Sequence, residues 1–84
     1  MEERPAIEAF LTEFRRQLEY LPLSRGQLED VRVDLETAEA QLRSERPRRA
    51  ILHAAVSSLR EVALGAAGSG AFAGLVELAQ HIHL

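Results

Sequence analysis

The sequence predicts an all-α fold: a three- or four-helix bundle made of an antiparallel hairpin and a glycine-rich C-terminal helix or helices. Three observations predict it. Apolar residues recur at alternating steps of three and four, which is the spacing of one helix face. Two proline-containing junctions, at Pro22 and Pro47, separate the periodic segments. Finally, 84 residues with a hydrophobic fraction of 46% suffice for one small folded domain, residues 1–84.

Helix one is predicted over about residues 5–21. Pro5 suits a first helical turn, because its missing N–H would have no partner there. Pro22 ends the helix, because a proline pushes the residue before it into extended backbone. The apolar face of this helix consists of Ile7, Phe10, Leu11, Phe14, Leu18 and Leu21.

Helix two is predicted over about residues 25–44. Ser24 and Gln27 have the spacing of a capping box, in which each side chain bonds the other residue's backbone N–H. The short connection to helix one favours an antiparallel pairing of the two helices. The apolar face of helix two consists of Leu28, Val31, Leu35, Ala38 and Leu42.

Helix three is predicted over about residues 47–66, with Ser44 as its cap and Pro47 in its first turn. Its apolar face is wider than those of the first two helices. A wide face needs cover on two sides, so we expect this helix to lie at the centre of the bundle. The face consists of Ile51, Leu52, Ala55, Val56, Leu59, Val62 and Ala63.

The C-terminal third is rich in glycine. Residues 62–79, VALGAAGSGAFAGLVELA, contain four glycines and one charged residue. Glycine costs about 1 kcal/mol relative to alanine inside a helix, so the GSG triplet at 68–70 favours a break, followed by a fourth helix over about residues 71–82. One continuous helix from Pro47 is the competing prediction, and the sequence leaves both open.

Three explanations account for the apolar character of residues 62–79. In a membrane span, the uncharged core from Val62 to Val76 would have fifteen residues, fewer than the roughly 20 that a bilayer needs. Gly70 and Gly74 do have the GxxxG spacing of membrane helix pairs. A monomer core would need neighbours on several sides of a segment that is apolar nearly all round. The third explanation is an interface between copies of the chain.

We favour the interface. Small residues four apart, in the rows Ala66-Gly70-Gly74 and Ala63-Ala67-Ala71, would let helices approach closely. Burying this surface between symmetric copies would remove it from water at roughly 25 cal/mol per Å². The sequence therefore predicts a homo-oligomer, with another protein as a further candidate partner. Its predicted interface residues are Gly65, Ala66, Gly70, Phe72, Gly74, Leu75 and Leu78.

Residues 28–79 carry an acidic helix patterned with leucine, a proline-containing junction, an SLR helix, and a GAAGS run before a final apolar helix. In these features the chain resembles the small helical segment at the C-terminus of many bacterial proteins. Some of those proteins are similar to AbiTii-type and related phage-defence proteins. The resemblance implies a carrier or assembly module attached to a variable effector.

Four arginines, Arg43, Arg46, Arg48 and Arg49, lie within seven residues at the second junction. They could bind an anion or an acidic partner surface, because helix N-termini also attract anions. The acidic residues of helix two in a neighbouring copy would complement them. A simple solvated junction is the alternative.

The sequence predicts no catalytic, cofactor or metal site. Cysteine is absent, and His81 and His83, two residues apart, would point in different directions on a helix and could not share a metal. GAAGSG lacks the lysine of a phosphate-binding loop. The net charge of -3 argues against a nucleic-acid partner.

The N-terminus is acidic where a secretion signal would be basic, so we expect a cytoplasmic protein. The predicted function is that of a homo-oligomerising helical scaffold or adaptor, which mediates protein–protein assembly through its C-terminal third. The alternative is a small membrane-associated or pore-forming protein that uses residues 62–79 as a lipid-facing helix.

Overall fold

Helices make up most of the chain. The computed structural model describes residues 3–66 and 70–83. A short 3-10 helix, Leu18–Tyr20, follows the first α-helix, and no strand occurs within the described ranges. The α-helices are α1 (Arg4–Gln17), α2 (Arg25–Arg43), α3 (Arg49–Gly65) and α4 (Ala73–Gln80). The predicted all-α bundle is therefore confirmed, in its four-helix form.

The junction between α1 and α2 forms as predicted. Leu21, the residue before Pro22, has extended backbone angles of φ −73° and ψ 135°. The Gln27 N–H donates to Ser24 Oγ at 3.2 Å, and the Ser24 N–H donates to Gln27 Oε1 at 2.9 Å. This capping box satisfies N–H groups that a helix start would leave without a partner. Helix one itself differs slightly, since its last turn is a 3-10 helix.

The junction between α2 and α3 differs from the prediction. Ser44 is the C-terminal cap of α2, and its Oγ accepts a hydrogen bond from the Arg46 N–H at 3.1 Å. The Arg48 N–H donates to Oε1 of Gln41 on α2 at 2.7 Å. Because α2 and its cap supply acceptors to the loop, residues 44–48 stay outside both helices. As a result, α3 begins after Pro47 and not at it.

Helix α3 ends at Gly65, so the predicted continuous helix from Pro47 is wrong. Gly70 has a φ of 73°, in the left-handed region that L-residues enter at a cost of roughly 1–2 kcal/mol. Gly68 and Ser69 of the predicted GSG break, and Ala67 of one predicted ridge, lie outside the described residues. The predicted row Ala66-Gly70-Gly74 does not lie on one helix, because α3 ends at Gly65 and α4 begins at Ala73.

The four helices form a ring around one core. α2 and α3 make the most extensive pair, α4 packs on α3 and α1, and α1 closes the ring against α2. α3 therefore has two neighbours, as its wide face predicts, but it is not more central than the others. The largest fully buried side chains are those of Ile7, Phe10, Phe14, Val31, Leu35, Leu52, Val56, Leu59 and Leu75.

A single copy encloses this core. The rings of Phe10 and Phe14 pack edge to face, with centroids 5.6 Å apart and an interplanar angle of 86°, the geometry that aromatic pairs prefer. The radius of gyration, 12.1 Å, matches the value of about 12 Å expected of one compact chain of this length. The core of one copy therefore includes side chains of the C-terminal segment, among them Phe72, Leu75 and Ala79.

Candidate assembly surface

The predicted interface residues separate into a buried group and an accessible group. Phe72 and Leu75 are 6% and 1% exposed in the single chain. They belong to the core of one copy, because the break after α3 lets α4 pack on α1 and α3. This corrects their predicted place at an interface. The accessible group comprises half-buried Ala66 and Leu78 and exposed Gly65, Gly70 and Gly74.

The accessible glycines are not places of close packing within the chain. A Cβ atom added to Gly65, Gly70 or Gly74 would find no atom within 4 Å. Inside one copy, therefore, none of them is required for a close approach of two helices. Gly70 is required for a different reason, its positive φ.

An apolar groove lies between the end of α3 and the segment that precedes α2. We call it the α3 groove; its volume is about 370 Å³. Gly65 and Ala66, two of the predicted interface residues, lie in it beside Leu21 and Leu23. Only one charged residue, Glu61, contributes to it. The lining residues are Leu21, Pro22, Leu23, Gln27, Ser58, Glu61, Val62, Gly65 and Ala66.

A second and larger groove lies between the end of α1 and α2. We call it the α2 groove; its volume is about 780 Å³. It shares Leu21 and Leu23 with the α3 groove, so the two grooves adjoin one another. A groove that combines apolar and charged side chains suits an amphipathic protein segment. Its lining consists of four leucines and five charged residues: Leu18, Leu21, Leu23, Leu28, Arg15, Arg16, Glu19, Arg32 and Glu36.

Two of the charges in the α2 groove are engaged within the chain. Arg15 holds Glu39 through two hydrogen bonds of 2.8 and 2.9 Å, which tie α1 to α2 and lower the pKa of Glu39. Arg16 likewise pairs with Glu13 on its own helix at 2.9 Å. In the ranges that the structure describes, neither Glu19 nor Arg32 makes an ion pair. The groove therefore presents free charges of both signs.

Large apolar side chains also reach the solvent. Tyr20 is 65% exposed, Val33 is 60% exposed and Ile51 is 38% exposed. Tyr20 lies next to the α2 groove in sequence, between the lining residues Glu19 and Leu21. Sequence reasoning did not select Tyr20 as a site residue, although a signal was present. The residue falls between Leu18 and Leu21 of the apolar face and so lies off the side that helix one buries.

The predicted arginine patch lies at the other end of α2 and α3 from the grooves. All four side chains are exposed. Arg43 contributes to the electrostatic environment of Glu39. Among the described residues, Arg46 and Arg48 form no ion pair, whereas Arg49 is engaged. A role of the patch in binding an anion or a partner stays a prediction.

Glu3 fastens the start of α1 to α3. Its Oε1 lies 2.6 Å from Nη2 of Arg49 and 3.3 Å from Nε2 of His53. The hydrogen bond from Arg49 is the main cause that lowers the pKa of Glu3 to about 2 from its ordinary value of 4.5. The ionised form of Glu3 is therefore the one that the fold favours.

The remaining polar groups show no assembled metal centre. His81 Nδ1 lies 2.7 Å from the carbonyl oxygen of Glu77, and His83 is exposed. In residues 3–66 and 70–83, no cluster of three or more metal-ligating side chains occurs. Within the same part of the chain, no helix is both long enough and apolar enough to cross a bilayer.

Comparison of the chain with protein-family models, with curated proteins and with solved structures gives no match. The resemblance of residues 28–79 to AbiTii-type phage-defence proteins therefore stays a prediction. The fold and the surface define the class of the molecule: a small four-helix bundle with two adjoining grooves at one end, one apolar and one lined by leucines and charged side chains.

Proposed function

We propose that this chain is a helical assembly module, a cytoplasmic scaffold or adaptor rather than an enzyme, whose copies associate through the α3 and α2 grooves. One observation carries the proposal: the apolar α3 groove and the α2 groove, which mixes leucines with charged side chains, share Leu21 and Leu23 and so adjoin one another on the surface. Part of the C-terminal third, Gly65 and Ala66, belongs to that surface. We therefore propose that the C-terminal third takes part in assembly through Gly65 and Ala66, and not through the buried side chains of Phe72 and Leu75.

The exposed surface of the chain is large enough for the proposed interface. The chain exposes 5416 Å², whereas a monomeric protein of 9.3 kDa exposes about 5,000 Å² on average. A stable interface takes about 800 Å² from each partner, about one-seventh of the surface of this chain. Covering exposed leucine and valine atoms stabilises a complex by roughly 25 cal/mol per Å² before the cost of association.

The charges in the α2 groove favour a second copy as the occupant. Glu19 and Arg32 are of opposite sign and make no ion pair among the described residues. A surface with both signs can face a copy of itself so that each charge meets its opposite.

Gly65→Arg tests the proposal. Arginine suits this position, because it adds a positive charge at the end of α3 and lies four residues after Glu61. The variant should therefore fold, yet carry a charge in the α3 groove. Gly26→Arg is the matched control. Gly26 is also helical, and a Cβ atom added there would likewise find no atom within 4 Å, but Gly26 lines neither groove.

The measurement is light scattering on purified protein without detergent, over a concentration series. We expect the unchanged chain and Gly26→Arg to form a multimer of one defined mass, and Gly65→Arg to have a lower mass. An unchanged chain that stays at 9.3 kDa at millimolar concentration would contradict the proposal.

A further inference from the structure

Tyr20 is the most exposed large apolar side chain among the described residues, at 65%. Its backbone is well defined, because it ends the 3-10 helix and is followed by two turn hydrogen bonds. The Leu21 N–H donates to the Leu18 carbonyl at 3.3 Å, and the Leu23 N–H donates to the Leu21 carbonyl at 2.8 Å. An aromatic ring on an ordered turn loses little conformational entropy on binding, which is why tyrosine often anchors interfaces.

The residues on either side of Tyr20 in the sequence line the α2 groove. Leu18, Glu19 and Leu21, the neighbours of Tyr20, all line the groove. Its volume of about 780 Å³ is large enough to admit a tyrosine side chain. Projecting ring and receiving groove are therefore parts of one patch on the same molecule.

A patch with both parts favours twofold symmetry. In a twofold interface, if residue i of one copy contacts residue j of the other, then j of the first also contacts i of the second. When Tyr20 of one copy enters the groove of another, the second Tyr20 can therefore enter the first groove. Such a contact closes after two copies.

The unpaired charges fit the same symmetry. Glu19 and Arg32 both line the α2 groove, and neither has an ion-pair partner in the described part of the chain. Across a twofold axis Glu19 of one copy can face Arg32 of the other, and the pair occurs twice. Charges that complement each other across an interface fix its orientation.

We propose that the α2 groove is a twofold dimer interface in which Tyr20 of each copy enters the groove of the other. The inference rests on the proposed function and deepens it, because it names the partner as one second copy, the anchor as Tyr20 and the charge pair as Glu19 with Arg32.

Tyr20→Ser tests the anchor, and Val33→Ser is its matched control. Val33 is 60% exposed on α2 and does not line the groove. By sedimentation equilibrium we expect the unchanged chain and Val33→Ser to form dimers of twice 9.3 kDa. The dissociation constant of the Tyr20→Ser dimer should be at least about tenfold larger, as expected when an aromatic anchor is lost. Circular dichroism verifies that both variants keep their helices.

The other outcomes are distinguishable. A dimer that Tyr20→Ser leaves equally tight overturns this inference and leaves the proposed function in place, as does a multimer larger than a dimer. An unchanged chain that never associates overturns both.

A charge exchange tests the twofold pairing without Tyr20. Glu19→Arg alone and Arg32→Glu alone should each weaken the dimer, because like charges then meet across the axis. The double variant restores opposite charges and should restore the dimer. A double variant as weak as the two single variants would overturn the pairing.

Discussion

At the scale of single residues, the glycines of the C-terminal third have different structural roles. Gly70 has a positive φ of 73°, whereas Gly74 lies inside α4. A Cβ atom added to either glycine would find no atom within 4 Å. Gly70 is therefore required by its backbone conformation and would be a poor probe of assembly, because any larger residue strains the turn whether or not copies associate.

Glu3 gives acid sensitivity to the fold. Since its pKa is lowered from 4.5 to about 2, its ionised form stabilises the protein fully above the unfolded value. This contribution is lost as the pH falls from about 4.5 towards 2. We expect Glu3→Gln to lower the melting temperature at neutral pH. The difference from the unchanged chain should narrow through this window and vanish near its lower end.

Thermal unfolding followed by circular dichroism between pH 2 and pH 7 measures this effect. Glu29→Gln is the control, because Glu29 is exposed and takes part in no ion pair within the described ranges. A melting-temperature difference for Glu3→Gln that stays constant over the whole pH range would refute the role of the Glu3–Arg49 contact.

At the scale of elements, α4 depends on its neighbours. It has eight residues, and isolated helices shorter than about 12–15 residues are marginal in water. Arg60 on α3 donates from Nε to the Ala79 carbonyl oxygen at 3.0 Å. The contact places a positive charge on the last turn of α4, where the helix dipole favours it.

Replacing Arg60 should therefore loosen α4. We expect Arg60→Met, which keeps the apolar stem but loses the donor and the charge, to reduce the free energy of unfolding by about 1–2 kcal/mol. In Arg60→Met, hydrogen exchange of the α4 amides should be faster than in the unchanged chain, whereas exchange of the α2 amides should change less. Arg60→Lys, which keeps the charge, should recover part of the loss. Equal exchange of α4 in Arg60→Met and in the unchanged chain would contradict this role.

The sequence predicts some of these elements better than others. The Ser24–Gln27 capping box is a local pattern, and the structure confirms it. The structure also buries most of the apolar faces predicted for helices one and two, whereas Leu18 and Leu28 are half-buried and line the α2 groove. The start of α3 was missed, because it depends on Gln41 and Ser44 accepting hydrogen bonds from the loop. The Arg60–Ala79 contact joins residues 19 apart, and no periodic pattern indicates it.

At the scale of the whole molecule, a substitution at Leu75 tests whether the core lies within one copy or is shared between copies. Leu75 is 1% exposed in the single chain, and truncating such a leucine to alanine costs about 2–5 kcal/mol. A protein of 84 residues has a total stability of only about 4–13 kcal/mol. We expect Leu75→Ala to lower the free energy of unfolding in urea by about 2–5 kcal/mol. The loss should be the same at protein concentrations tenfold apart.

Leu78→Ala is the matched control on the same helix. Because the Leu78 side chain is half-buried, its truncation should lower the free energy of unfolding by less. If the loss in Leu75→Ala instead grew smaller or larger with protein concentration, Leu75 would be covered by a second copy, and the packing of α4 on α1 would need revision.

The candidate surface was only partly predictable from the sequence. Gly65 and Ala66, which the sequence predicts as interface residues, line the α3 groove, and their role in assembly stays a prediction. Phe72 and Leu75 were misplaced, because their burial depends on how α4 packs after the break. Leu21 was predicted as core and is 8% exposed, yet it also joins the two grooves, a property that arises only when three segments meet.

The packing of α4 against α1 also affects how the protein is made. The most extensive neighbour of α1, which carries Phe10 and Phe14, is the last helix of the described chain. Because translation proceeds from the N-terminus, α1 leaves the ribosome before its main packing partner. Premature termination before Ala73 would release a polypeptide in which α1 lacks its main neighbour, a natural substrate for chaperones and proteases.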